Sequence, residues 1–111
     1  MAAWKAAGAV RSELKVKLDK IYDVDVPMVK GQSFSLYIGL QMTPCNLRKI
    51  LSVEGLGAAR PKALQEGQVA HVTLTTAEDA PVFVDAGLAC YSRVILRHAG
   101  VTCASGVVEE S

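Results

Sequence analysis

Tyr91-Ser-Arg-Val-Ile-Leu-Arg-His-Ala-Gly-Val-Thr-Cys-Ala-Ser-Gly-Val-Val108 reads as two strands joined by a tight turn. Tyr91 to Arg97 and Val101 to Val108 are rich in apolar and β-branched residues, which suit a pleated, half-buried surface. His98-Ala99-Gly100 between them is a hairpin signal. On a strand, residues two and four apart share a face, so Arg93, Ile95 and Arg97 should project together.

Upstream the same period of two recurs. Leu14, Val16 and Leu18 alternate with Glu13, Lys15, Lys17 and Asp19, a half-buried strand with a charged outer face. Ile21 to Val29 is broken by Asp23, Asp25 and Pro27 and ends in the turn Lys30-Gly31-Gln32. In Ser33 to Leu40, Phe34, Leu36, Ile38 and Leu40 should point one way and Ser35, Tyr37 and Gly39 the other. Thr43-Pro44 is expected to break the chain. Cys45 to Val53 resumes a strand with Leu47, Leu51 and Val53 on one face; Ile50 falls on the opposite face, which calls for a bulge or a two-sided strand. Glu54 to Ala59 is a flexible connection, and Gln65-Glu66-Gly67-Gln68 is a turn. Val69 to Thr76 has Ala70, Val72 and Leu74 inward and His71, Thr73 and Thr75 outward. Val82-Phe83-Val84 is a short apolar run after Ala80-Pro81. Only Ala86 to Cys90 and the first ten residues leave room for helix. Six or seven short strands separated by turns indicate an all-β closed barrel or a sandwich.

The chain has 111 residues, enough for one domain with a real core. Residues 1–12 are expected as a linker or disordered N-terminus and residues 13–111 as a single β-barrel. Half the residues are hydrophobic and the formal net charge is +1, so nucleic-acid contact would need a local patch. No apolar run approaches the roughly 20 residues of a membrane helix. The N-terminus lacks the apolar core of a signal peptide, and the expected compartment is cytoplasmic. Three cysteines, Cys45, Cys90 and Cys103, with no C-x-x-C pair, suggest buried free thiols rather than a disulfide framework or a zinc site.

None of the nine glycines sits in G-x-x-x-x-G-K-[ST], so this chain by itself is not expected to bind GTP. His71 and His98 read as surface residues. Asp23 and Asp25 share a strand face on which a cation could sit, although a strand-end loop explains them as well. Basic residues gather at Arg48-Lys49, at Arg60 and Lys62, and at Arg93 with Arg97. These, with Lys15 and Lys17, are candidates for RNA phosphate contact or for an ordinary solvated face. An enzyme would need a nucleophilic pair such as Cys103 with His98. Cys103 falls on an apolar strand face, which stabilises a thiolate poorly.

Arg60-Pro-Lys-Ala-Leu-Gln-Glu-Gly-Gln-Val-Ala-His-Val-Thr-Leu74 resembles the P-[KR]-x-[FL]-x-x-[GD]-[DQ]-x-A-x-V-x-[LM] stretch in the third domain of eukaryotic elongation factor one alpha and its relatives. The final hairpin resembles the family's L-G-R-F-x-[LV]-R-x-x-x-x-T-[IV]-A-x-G-x-[IV]: Arg93, Leu96, Arg97, Thr102, Ala104, Gly106 and Val108 match, while Ser92-Arg93-Val94 stands for Gly-Arg-Phe. Leu96-Arg-His-Ala-Gly100 looks nearest to the Hbs-type ribosome-rescue GTPases and the class-two release factor.

The resemblance implies a six-stranded Greek-key barrel of the elongation factor Tu C-terminal type, without catalytic activity of its own. It also implies a parent protein with a second barrel and a GTPase domain that carries GTP as its cofactor. It implies a partner on the ribosome: a tRNA-mimicking protein of the Pelota or class-one release factor type in the rescue and termination branch, the backbone of aminoacyl-tRNA in the elongation branch. By position, Arg93, Ile95 and Arg97 carry over as partner-binding residues. Arg60 and Lys62 are further candidates for contact with RNA or a partner.

Overall fold

The computed structural model describes residues 9–22, 28–55, 63–77, 80–85 and 87–109. Ten strands follow in chain order: β1 (Ala9–Arg11), β2 (Glu13–Ile21), β3 (Met28–Val29), β4 (Ser33–Ile38), β5 (Gln41–Val53), β6 (Ala63–Leu64), β7 (Ala70–Thr76), β8 (Val82–Val84), β9 (Arg93–His98) and β10 (Val101–Val108); a 3-10 turn (Ala89–Tyr91) precedes β9. Six of them close a barrel in the order β10-β2-β7-β5-β4-β9, with every pair antiparallel. β4, β5 and β7 run side by side in sequence, and β2 lies beside β7, which is the Greek-key order. Closure leaves the barrel no unpaired edge.

The period-two pattern lines the interior. Leu14, Val16, Leu18, Leu36, Ile38, Leu47, Val72, Leu74, Val94 and Leu96 are all fully buried. Two two-residue turns set the hairpins. Ala99 (φ 51°) and Gly100 (φ 81°) join β9 to β10, with both residues left-handed as a type I′ turn requires. Gly39 (φ 59°) opens the turn from β4 to β5.

Four expectations are corrected. Leu40 is not a core residue: it is the second residue of that turn and fully exposed. Thr43-Pro44 does not break the chain, because β5 passes straight through it. Pro44 pairs with Ser35 of β4 but lies one residue short of the first β7 partner, Cys45, so its missing N–H falls where β5 is bonded on one side only. Ile50 is buried and Leu51 only half-buried, the reverse of the expected face. The expected bulge is there, doubled: the register between β5 and β7 shifts between Leu47 and Lys49 and again between Ile50 and Ser52, and each shift turns the following residues over. Finally, Cys90 is exposed, while Cys45 and Cys103 are buried.

Outside the barrel, β1 pairs with β8 and β3 with β6. β1 lies within the stretch read as linker. β8 is held to the barrel by Gln41, whose side chain takes the Phe83 N–H (2.8 Å) and donates to the Phe83 carbonyl (2.9 Å), in the manner of a strand partner.

Candidate partner-binding face

β9 alternates strictly. Val94 and Leu96 point into the barrel, so Arg93 and Ile95 are exposed and Arg97 half-buried on the outer wall. The register places Ile95 between Tyr37 of β4 and Ser105 of β10, and Tyr37 in turn faces Met42 of β5. Met42, Tyr37 and Ile95 thus form an apolar row across three strands, at the strand spacing of roughly 4.8 Å. Met42 (59% exposed) and Ile95 (42%) are the open ends of that row. Beside it a depression of about 360 Å³ is lined by Tyr37, Gly39, Cys90, Arg93 and Ile95. Gly39 is required at its floor: a Cβ there would sit 2.9 Å from the Cys90 carbonyl oxygen.

The two arginines differ. Arg97 is committed to its own wall: Nη2 donates to the Gly100 carbonyl (2.5 Å), and the guanidinium carbon stands 5.9 Å over the Tyr37 ring. Its Nε is buried with no hydrogen-bond partner among the described residues. Arg93 makes no ion pair among the described residues, and its guanidinium is a planar fork of donors.

A family model described as GTP-eEF1A C-terminal domain-like matches residues 16–109 of this barrel. The chain belongs to that family. Solved structures of similar fold include the GTPase-like domain of S. cerevisiae Ski7 bound to GTP, with a TM-score of 0.76 and 17% identity over 96% of this chain and 22% of that one. Sup35 complexed with GDP is a second, with a TM-score of 0.75 and 18% identity over 94% of this chain and 26% of that one. The chain therefore spans about a quarter of the length of these structures.

Within the GTP-eEF1A C-terminal domain-like family, the hairpin glycine has a physical reason here. At Gly106 a Cβ would lie 2.8 Å from the Leu18 Cα and closer still to the Lys17 carbonyl oxygen, at the point where the β10–β2 register shifts. Only glycine lets β10 approach β2 so closely.

Arg93, Ile95 and Arg97 are brought together as the strand period requires. Arg60 and Lys62 lie outside the described residues, as do Asp23 and Asp25. The outward direction of Tyr37 was readable from the parity of β4. That it meets Ile95 was not, because register between β4 and β9 joins residues distant in sequence. Met42 was missed because it sits where a break was expected.

Burial disfavours the thiolate at Cys45 and Cys103. Burial pushes the Cys45 thiol up to about 12 from the ordinary 9.0, and burial likewise pushes Cys103 up. The His98 ring does not serve Cys103: its Nδ1 lies 3.2 Å from the Ser33 carbonyl and its ring meets the edge of Phe34. His71 bridges two carboxylates, with Nδ1 2.6 Å from Glu109 Oε1 and Nε2 3.3 Å from Glu54 Oε2, and Glu54 also pairs with Lys17 at 3.6 Å.

Proposed function

We propose that this barrel is the partner-docking module of a translational GTPase, without catalytic activity of its own, and that it holds a tRNA-shaped protein of the Pelota or class-one release factor type against the ribosome. The observation that carries the reading is the apolar row Met42–Tyr37–Ile95 with Arg93, which makes no ion pair among the described residues, beside it. Interface cores are enriched in Tyr, Met and Arg, and the energy concentrates in a few anchors that exclude water. A concave, largely apolar wall next to the exposed Arg93 guanidinium suits a partner that inserts an apolar side chain and offers a carboxylate for bidentate pairing.

The neighbouring structures support the parent class. Ski7's GTPase-like domain is bound to GTP and Sup35 to GDP, and this barrel matches about a quarter of each. We infer that guanine nucleotide binds in a part of the parent protein outside these residues, and that the parent acts in the cytoplasm in rescue or termination.

The test is calorimetry of the chain with candidate tRNA-shaped partners. Arg93→Glu and Tyr37→Ala should each weaken binding by about 2 kcal/mol or more, as hot-spot truncations do. Arg97→Gln should act less on binding and more on stability, because Arg97 is spent on Tyr37 and Gly100. Equal binding by wild type and Arg93→Glu would remove this face from the reading. Affinity for aminoacyl-tRNA that falls steeply with salt would favour the elongation branch instead.

A further inference from the structure

The wall on the far side of the ring carries a different chemistry. In the order β10-β2-β7-β5-β4-β9, β7 stands opposite β9. Cross-strand pairing lays three rows over the outer surface of β2, β7 and β5. Glu13, Thr75 and Asn46 form the first, Lys15, Thr73 and Lys49 the second, and Lys17, His71 and Ser52 the third. The bulge in β5 adds a cation to the second row. A regular strand would bury one of two adjacent residues, but Arg48 and Lys49 are both exposed, opposite the single residue Thr73. Lys30 is brought beside them by the backbone. The Gly31 N–H donates to the Leu47 carbonyl (2.7 Å), and the Leu47 N–H donates to the Gln32 carbonyl (2.9 Å), which pins the turn that carries Lys30 onto β5. Lys30, Gly31, Asn46, Leu47, Arg48 and Thr75 line a polar depression of about 290 Å³. Ser33 Oγ donates to Asn46 Oδ1 (2.9 Å), which turns the Asn46 amide nitrogen toward other acceptors. Lys30, Arg48 and Lys49 make no ion pair among the described residues.

Carboxylates bound this cationic band at both ends. Glu13 ends the first row. In the third row the charges are matched within the wall itself: Glu54 lies 3.6 Å from Lys17 and 3.3 Å from His71 Nε2, and Glu109 lies 2.6 Å from His71 Nδ1. Thr75 and His71 are four residues apart on β7, so the band between these rows is roughly 13 Å long at about 3.3 Å per residue. Its length decides between two classes of polyanion. Readers of double-stranded RNA span about 16 base pairs, and a duplex laid along this wall carries its phosphates across Glu13 or across Glu54 and Glu109. A short acidic peptide stays inside the band. Alternate side chains of an extended chain stand on one face about 6.8 Å apart, which is also the separation of the first and second rows.

We propose that the β5–β7 wall binds an acidic segment of a protein, held extended, through two carboxylates two residues apart. The first enters the depression, where Lys30, the Arg48 guanidinium and the Asn46 amide donate to it; no acidic residue lines that depression. The planar Arg48 fork takes the carboxylate bidentately. The second carboxylate meets Lys49 one row along. Exposed ion pairs are individually weak and screened by salt, so the complex is weak and transient, and its selectivity comes from the spacing of the charges. This wall lies across the barrel from Arg93, and the proposal does not depend on the role of that face.

The experiment is fluorescence anisotropy of the full chain with two labelled, end-capped peptides of one composition, Thr-Glu-Thr-Glu-Thr and Thr-Glu-Glu-Thr-Thr. The alternating peptide should bind about three-fold or more tightly than the block peptide, since the block peptide loses one of the pairs. Binding should be strongest near 0.01 M salt, where the Debye length is about 30 Å, and should vanish near 1 M, where it is about 3 Å. The triple variant Lys30→Gln, Arg48→Gln, Lys49→Gln should bind the alternating peptide about ten-fold more weakly. Its melting curve should match wild type, since all three side chains are exposed. Arg93→Glu should leave peptide binding unchanged, so this proposal and the docking face fail separately. The proposal is overturned if the alternating peptide does not bind at low salt, if the block peptide binds as tightly, if the triple variant binds equally, or if Arg93→Glu abolishes binding. Tighter binding of an RNA duplex than of the alternating peptide at equal total charge also overturns it, because the wall would then be a nucleic-acid surface.

Discussion

At the scale of single residues, the strongest constraint is Gly106. Its position in the last hairpin was legible as a match to a family pattern, but the reason was not, because the Lys17 and Leu18 backbone that crowds it belongs to a strand nearly ninety residues away in sequence. A methyl group there meets main chain rather than a flexible side-chain end, so the neighbour cannot yield without opening the β10–β2 ladder. Gly106→Ala should therefore destabilise by about 3 kcal/mol or more, at the upper end of overpacking costs. Urea midpoints compared at equal m-value will check this; a loss below about 1 kcal/mol would mean that the ladder relaxes easily. Arg97 shows the opposite limit of sequence reading. Its face followed from parity alone, yet its commitment to Gly100 and Tyr37 depends on turn geometry and on register, neither of which a strand pattern encodes.

At the scale of elements, the alternation of apolar and polar residues was enough to locate β2, β4, β7, β9 and β10, because each alternates over most of its length; β2 and β10 change face only where their register shifts. β5 defied that pattern for a physical reason. Two register shifts against β7 exchange the faces of Ile50 and Leu51, and a proline appears where one side of the strand lacks a ladder partner. Ile50 out of phase was the one visible symptom. The β9–β10 turn carries a mismatch that sequence made visible and structure explains. A type I′ turn needs both residues left-handed, and Ala99 adopts φ 51° without glycine's freedom or asparagine's local hydrogen bonding. Ala99→Asn should stabilise the chain by about 0.5–1 kcal/mol, read as a rise in thermal midpoint. Ala99 is exposed, so no packing term obscures the comparison. No gain would show that the hairpin holds Ala99 left-handed at little cost.

At the scale of the whole molecule, closure decides what is essential. The six barrel strands bury one another's edges and enclose most of the apolar interior, while β3, β6 and β8 add Met28, Leu64, Val82 and Val84 to the core, so a strand outside the ring is dispensable only where it adds little to that core. β1 is the clearest case. It contributes Ala9–Arg11 to a ladder with β8, and Ser12 accepts a hydrogen bond from the Thr76 N–H (2.8 Å), but Val10 remains 65% exposed. Its stabilisation is therefore a few backbone hydrogen bonds, each about 0.5–1.5 kcal/mol net. Ordering its three residues costs roughly 1–2 kcal/mol apiece. The two nearly cancel, and residues 13–111 should fold as a cooperative barrel within about 2 kcal/mol of the full chain. Urea unfolding of the two chains side by side measures the difference. A larger loss, or failure of the shorter chain to fold, would show that β8 needs β1 to keep Val82 and Val84 covered, and that the folding unit begins before Glu13.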